Sequence, residues 1–358
     1  MARSHLTLAA LATSAVAGLD VAGTRSYSYG SQGDYDAALL AGRDGRELII
    51  RVPTSQAAET EQSADLVALR ALSAGIRGRL PFDVPRFVGQ APVGNTRAVV
   101  YDFLPGAKVD VDDIQSGEGG LASSIGAAIS AIHSLPTGFV GDAGLPVLSA
   151  SDCHESTVTL IDSAASTGLL PAALKDRWRE VTGDERVWRF QPTVINGALT
   201  VDSLLVRDEA VVGVLGWSAL RVGDPARDLH WLFAMASDAA ESALDAYTSA
   251  RQVTADRQFT RRAMLYAELE IARWLLHGRQ LHDQSIVDDA VGMLDGLVDR
   301  VHSSGATPLT QDTGPIMAIT DVEAMLSSTP VDGADDYAVG LAPVEEESPG
   351  TRPTMDDD

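Results

Sequence analysis

Residues able to move a proton or hold a hard cation gather in one stretch of this 358-residue chain, between Val194 and Leu229. Asp202, Ser203, Asp208, Asp224 and Asp228 all fall inside it. A carboxylate set against a hydroxyl can act as a general base, and oxygen ligands can hold magnesium. What these side chains can do depends on the backbone that carries them. Val194-Ile195 and Leu204 to Val206 are β-branched or apolar runs, Arg207-Asp208-Glu209 makes a charged turn, and Val211 to Leu215 is apolar again. The stretch reads as strand, loop, short strand, tight turn, short strand and loop, with Gly223-Asp224-Pro225-Ala226-Arg227-Asp228-Leu229 opening a helix.

The elements that must position this segment lie on both sides of it. Upstream, Arg25 to Tyr29, Tyr35 to Ala41 and Glu47 to Val52 have strand composition, separated by Gly30-Ser31-Gln32-Gly33 and by Arg43-Asp44-Gly45, both hairpin-turn compositions. A helix is expected from about Ala57 to Ala74, and Arg97 to Leu104 reads as a strand running into a Pro105-Gly106 linker. Beyond the linker the chain is mostly helical: 120–134, 152–167 with Ser151 at its cap, 171–181, 228–235, 239–251, 257–277 and 285–301. The first 18 residues end in small residues and superficially resemble a signal peptide, but Thr7, Thr13 and Ser14 interrupt the apolar run. They read instead as a short helix capping the small lobe. Trp231, Phe233, Tyr247, Phe259, Tyr266 and Trp274 read as packing. His133 ends a helix, where a cation is favoured, and is assigned a structural role. Arg261, Arg262, His277 and Arg279 are the basic candidates for contacting a ligand, with solvated helix faces as the competing reading.

Three segments carry a resemblance: Val194 to Val206, Val211-Val212-Gly213-Val214-Leu215-Gly216-Trp217, and Gly223 to Leu229. Together they resemble the catalytic segment of the aminoglycoside and macrolide phosphotransferase family, whose pattern is roughly H-G-D-L-H-x-x-N-L-L-V, then G-V-I-D-W, then G-D-P-x-x-D-L. The resemblance implies an α+β, two-lobed kinase-like fold, with a small antiparallel-sheet N-lobe and a mostly helical C-lobe. It also marks departures. The position of the catalytic Asp holds Ala198, that of the magnesium-binding Asn holds Ser203, and that of the second metal-binding Asp holds Gly216; Asn196 and Thr200 stand at the two His positions. Gly197, Leu199, Leu204, Trp217, Asp224 and Asp228 remain, and the two acids are expected to hold the loop through its backbone. Leu48 to Pro53 resembles the strand that carries the nucleotide-contacting cation, here Arg51, and Asp65 stands where relatives carry the acid that pairs with it, with Glu61 one turn earlier as the competing partner. Tyr101 and Phe103 precede the expected inter-lobe hinge, and with Arg51 and Asp65 they define a candidate nucleotide cleft.

Phosphoryl transfer leaves a protein little to do beyond placing the nucleophile and neutralising phosphate charge. Loss of the base and both metal-ligand positions therefore points to a catalytically impaired pseudokinase that acts by binding a small molecule or a protein. The alternatives are an active transferase recruiting Asp202, Asp208 or Asp224, and a purely structural interaction protein. ATP or GTP is the nucleotide implied, bound weakly and independently of magnesium, with no metal site. The formal net charge of −23, from 27 basic and 50 acidic residues, excludes the basic footprint that nucleic acid requires and disfavours an anionic membrane surface. No run approaches the ~20 apolar residues of a membrane helix. One cysteine, Cys153, permits no internal disulfide and suits a reducing, cytoplasmic setting. The expected organisation is an N-lobe over 1–104, a helical C-lobe over 105–302 and a disordered acidic tail over 303–358. The tail sets twelve acids against Arg352 alone, and a capping box at Thr320 and Glu323 marks a docking helix at 321–327, with a solubility tail as the alternative.

Overall fold

Alternation along three strands decides which side chains reach the cleft. In the computed structural model, which describes residues 3–27, 34–117, 120–251, 256 and 258–303, a helix α1 (His5–Ala15) precedes β1 (Val21–Ser26), β2 (Tyr35–Gly42) and β3 (Glu47–Pro53). Helices α2 (Gln56–Ala71) and α3 (Ala74–Arg77) follow, then β4 (Phe87–Val93) and β5 (Thr96–Asp102). The five strands form one antiparallel sheet in the order β1-β2-β3-β5-β4. Because successive strand residues face opposite ways, Leu48, Ile50, Val52, Ala98 and Val100 bury themselves with Leu8 and Ala12 of α1. Val99 and Tyr101 pack on the other side with Leu66, Leu69 and Leu72 from the α2 region. Arg51 is placed opposite Val99, and Ile49 opposite Tyr101, so this second face carries the polar candidates. Ser4 caps α1 by accepting the Thr7 N–H (3.2 Å), and Ser55 caps α2 by accepting that of Ala58 (3.1 Å).

The rest is largely helical: α4 (Leu121–His133), α5 (Gly138–Asp142), α6 (Ala150–Ser166), α7 (Ala172–Gly183), then β6 (Thr193–Ile195), β7 (Leu204–Arg207), β8 (Ala210–Val214) and β9 (Arg221–Gly223), then α8 (Ser237–Arg251), α9 (Phe259–Leu281) and α10 (Gln284–Ser303). In α9, Ala263, Leu265, Leu269, Ile271 and Leu275 are fully buried. Leu265, Leu269, Ile271 and Leu275 form a core with Trp178 of α7, Ile161 of α6 and Leu294 of α10. Cys153 lies buried in the same core, where burial first of all pushes its thiol up to about 11. The hairpin β7–β8 is gripped on both sides. Asp83 exchanges backbone hydrogen bonds with Val212 and Val214 (2.9 and 3.0 Å), and Ala107, just past the linker, exchanges two with Val206 (2.9 and 2.8 Å). None of the described helices is long and apolar enough to cross a membrane.

The two-lobed kinase-like arrangement agrees with the expected fold class, and four local readings need correction. The first strand begins at Val21 rather than Arg25, because its register is set by pairing with β2. Strand β4 was not foreseen: its Gly89 and Pro92 weaken the strand pattern, and pairing with β5 supplies what propensity does not. The cap of α6 is Ser149, not Ser151, with Asp152 returning to the Ser149 N–H (2.7 Å). The helix expected over 228–235 is a pair of 3₁₀ turns, 225–228 and 230–234. The hairpin glycines Gly30 and Gly33, the tail beyond Ser303 and its docking helix lie outside the described residues.

Candidate functional site

Strands β6 and β9 pair antiparallel, with Ile195 opposite Arg221, and deliver the loop 196–200 between them. A buried carboxylate holds that loop: Asp228 Oδ2 accepts the Asn196 N–H and Oδ1 the Gly197 N–H, both at 2.7 Å, while His133 Nε2 lies 3.3 Å from Oδ2. Gly197 sits at φ +86°, and a Cβ there would meet the Ala219 carbonyl oxygen at 2.4 Å, so only glycine fits. The Asn196 side chain donates to the Gly216 carbonyl (2.8 Å) and accepts the Ala198 N–H (3.1 Å), tying the loop to the segment before Trp217. Asp224 does not touch the loop backbone, contrary to the sequence expectation. It accepts the Ala226 N–H (2.9 Å), the Tyr266 hydroxyl (3.0 Å) and two guanidinium N–H groups of Arg262 (2.7 and 3.1 Å).

That arrangement removes two basic candidates from any ligand. Arg262 is fully buried between Asp224 and Asp256, and Arg261 pairs with Asp184 at 3.0 Å. His277 stacks on Trp274, and Arg279 is exposed near the end of α9. Of the three acids considered as replacements, Asp224 is thus committed to Arg262, and Asp208 lies in the β7–β8 turn at φ 52°. Asp202 is exposed beside the loop. Ser203, on the 3₁₀ turn 201–203, accepts the Thr200 N–H (3.2 Å) with its hydroxyl. Ala198 presents a methyl group and Gly216, at φ +67°, no side chain. Among the described residues no group of three or more His, Cys, Asp or Glu could hold a metal ion.

Between the sheet and this segment lies a cleft of about 490 Å³, open mouth included, lined by Arg51, Asp65, Tyr101, Phe103, Leu215 and Gly216 among others. The structure therefore brings the four cleft residues together with one of the three altered positions. The Arg51 guanidinium stacks on Tyr35, 3.7 Å from the ring centroid. Burial works against its charge, but Tyr35, Tyr101, Glu61 and Asp65 outweigh burial and strengthen its hold on the proton. Burial raises the Asp65 carboxyl to about 6, opposed by the Trp217 N–H and by Arg51. Asp65 accepts that Trp217 N–H at 2.8 Å, which links α2 directly to the chain after Gly216, while Glu61 accepts the Tyr35 hydroxyl at 3.1 Å. Sequence reading paired Asp65 with Arg51 and gave no sign of the Trp217 contact, since a backbone donor has no side-chain signature. It also missed Lys108, whose Nζ donates to the Asp202 carbonyl. Burial first, and Arg51 after it, lower Lys108 to about 8 against the attraction of Asp202. The one available signal was its place two residues past Pro105-Gly106.

Comparison with known proteins places these features in a family. The model of the phosphotransferase enzyme family matches residues 32–266. Among curated proteins, the chain is 23% identical over 208 residues to the uncharacterized protein YcbJ of Bacillus subtilis (strain 168); the match covers 54% of this chain and 65% of that relative's length. Among solved structures it is similar to the apoenzyme of macrolide 2'-phosphotransferase MphH from Brachybacterium faecium (TM-score 0.65, 21% identity, 80% of this chain and 97% of that one). It is also similar to wild-type aminoglycoside 2'-phosphotransferase-IIIa in its GDP complex (TM-score 0.67, 18% identity, 82% and 98%). At these identities the structural likeness speaks for the fold. The family match over residues 32–266, with the held loop and the cleft between two lobes, shows that this chain belongs to the phosphotransferase enzyme family.

Proposed function

We propose that this chain is a catalytically impaired member of its family that binds a nucleotide in the cleft beside the linker and acts through binding a small molecule or protein rather than through turnover. The observation that carries the reading is the contrast between the altered positions and the kept cleft. Ala198, Ser203 and Gly216 offer one neutral hydroxyl in place of a base and metal ligands, and that hydroxyl is engaged with Thr200. A missing general base alone costs ~10²–10⁴ in rate, and a hard cation has nothing to replace its water ligands. Arg51 is nevertheless kept charged inside the cleft, where it can meet phosphate oxygens. Solved structures of similar fold include GDP and ADP complexes, which supports ATP or GTP as the ligand; binding without magnesium is our reading of Ala198, Ser203 and Gly216 alone. With a single buried cysteine the reading suits a reducing cytoplasm.

Calorimetry with ATP and GTP, each with magnesium and with chelator, tests the binding half. Binding should change less than tenfold, about 1.4 kcal/mol, between the two conditions; a larger gain from magnesium overturns metal independence. Phosphotransfer to kanamycin and to a macrolide should be absent. Turnover that vanishes in Asp202→Ala would instead establish an active enzyme using that exposed acid.

A further inference from the structure

Beside the loop at Gly197, and outside the lining of the cleft, three arginines converge in a chain that is otherwise strongly acidic. Arg221 lies in β9, and its Nε donates to the Ala219 carbonyl (3.1 Å). Its guanidinium packs directly on the loop, since a Cβ built on Gly197 would lie 2.9 Å from Nε and 3.0 Å from Nη2. Arg227 follows three residues after Asp224, and its neighbour Asp228 holds the Gly197 N–H. Arg273 comes from α9. Glu270 of the same helix takes both Arg227 and Arg273, the latter at 3.1 Å. Arg221 forms no ion pair with any acid among the described residues; the nearby Asp228 is already occupied by two loop N–H groups and His133.

Burial and then Arg227 weaken the proton affinity of both Arg221 and Arg273, and Arg221 and Arg273 also repel each other. Arg227 and Arg273 meet at the same Glu270 oxygen, and Arg221, packed on Gly197, lies near enough to repel both. Arginine cannot relieve such crowding by losing its proton, and an uncompensated charge out of water is costly. All three are partly exposed, with 41% of the Arg273 side chain and 17% of the Arg227 side chain accessible, so an outside anion can reach them. Planar guanidinium forks suit phosphate or carboxylate oxygens.

We infer that Arg221, Arg227 and Arg273 form an anion-binding subsite beside Gly197, so that the ligand on this side of the loop carries a phosphate or carboxylate. This deepens the reading above and rests on it, by naming the class of the second ligand. An amine-rich cation such as kanamycin is the wrong charge for this surface. None of the three arginines lines the cleft that holds Arg51, so the two can be tested apart.

Inorganic pyrophosphate is the probe, titrated calorimetrically into the full chain and into Arg221→Gln, Arg273→Gln, Arg51→Gln and the exposed-surface control Arg207→Gln. Pyrophosphate affinity should fall at least tenfold in the first two, fall by less than that in Arg51→Gln, and stay within twofold in Arg207→Gln, and kanamycin should not bind. Arg221→Lys, which keeps the charge and loses the fork, should bind between wild type and Arg221→Gln, and it serves as the readout if the glutamine variant fails to fold. No pyrophosphate binding at millimolar concentration, or binding lost only in Arg51→Gln, overturns the subsite. ADP titrated into the same proteins separates the two claims. Loss of ADP binding in Arg51→Gln with pyrophosphate binding kept supports both. Absence of ADP binding from the wild type, with pyrophosphate still dependent on Arg221, removes the nucleotide reading and leaves the subsite standing.

Discussion

Asp65→Asn should make this protein more stable at neutral pH, even though it removes a charge facing Arg51. An ordinary Asp carboxyl titrates near ~3.9, whereas Asp65, 9% exposed, is raised to about 6 by burial. Below the ordinary value both folded and unfolded chains are protonated there, and the group contributes nothing. As pH rises, the unfolded chain gives up its proton first while the folded chain still holds it, so folding loses stability until the pH passes about 6. Above that the penalty is constant at roughly 3 kcal/mol. The isosteric amide keeps an oxygen for the Trp217 N–H and has no charge to desolvate. The expected gain is up to about 3 kcal/mol at pH 7.5, or a rise in Tm of roughly 5–10 °C, fading to nothing by about pH 4. Scanning calorimetry of both proteins from pH 4 to 8 reads this directly. A variant less stable than wild type at pH 7.5, or an offset that does not depend on pH, would refute the account of Asp65 as an acid held ionised against its surroundings. If the gain is found, the residue is kept for something other than stability, which is what a cleft acid facing Arg51 would require.

Three further outcomes follow from the loop and its supports. Gly197→Ala should destabilise by ~2 kcal/mol or more, from the left-handed backbone and the contact with Ala219, measured by urea unfolding; a neutral result would mean the turn is not held. Arg262→Met should cost about 3–5 kcal/mol by leaving Asp224 buried without its cation, again read by denaturation, with Asp224→Asn in the same chain recovering much of the loss. The triple change Ala198→Asp, Ser203→Asn, Gly216→Asp should confer magnesium-linked nucleotide binding. It should also lower stability by ~1–2 kcal/mol at Gly216, whose φ of +67° a side chain adopts with strain although nothing lies within 4 Å of its Cβ. Calorimetry with and without magnesium checks it, and a folded triple variant with no metal-linked binding would show that the loop is not arranged to hold one.

Much of this was legible in the sequence because it was written in period and spacing. Leu48, Ile50 and Val52 alternate with Ile49 and Arg51, which is enough to put Arg51 on the face away from α1. The resemblance of the segments holding Gly197, Trp217 and Asp228 to the family pattern was enough to find the loop and its support. What escaped was carried by the backbone or by distant pairing. Strand β4 exists through its partner rather than its composition, and Asp65 reaches Trp217 across 152 positions. Asp224 and Asp228 look alike in the sequence; one supports the loop and the other a helix, because only the buried Arg262 distinguishes them. The arginine cluster was missed for a similar reason: Arg221, Arg227 and Arg273 are scattered along the chain, and only the pairing of β6 with β9 and the packing of α9 gather them.

The grip on the β7–β8 hairpin bears on how the two halves of the molecule can part. A peptide linker by itself is a loose tether, free to let its ends swing. Here the segment just past it, at Ala107, and a residue from the other half, Asp83, are both stitched to the same hairpin by four backbone hydrogen bonds. At roughly 0.5–1.5 kcal/mol net for each bond, peeling the hairpin away from both would require about 2–6 kcal/mol before any core surface is exposed. Wide gaping therefore belongs to the rare fraction of molecules, and a ligand entering beside Phe103 would meet an aperture of nearly fixed width. The same stitching covers the flanks of a two-stranded ribbon that would otherwise offer unpaired edges to a second chain.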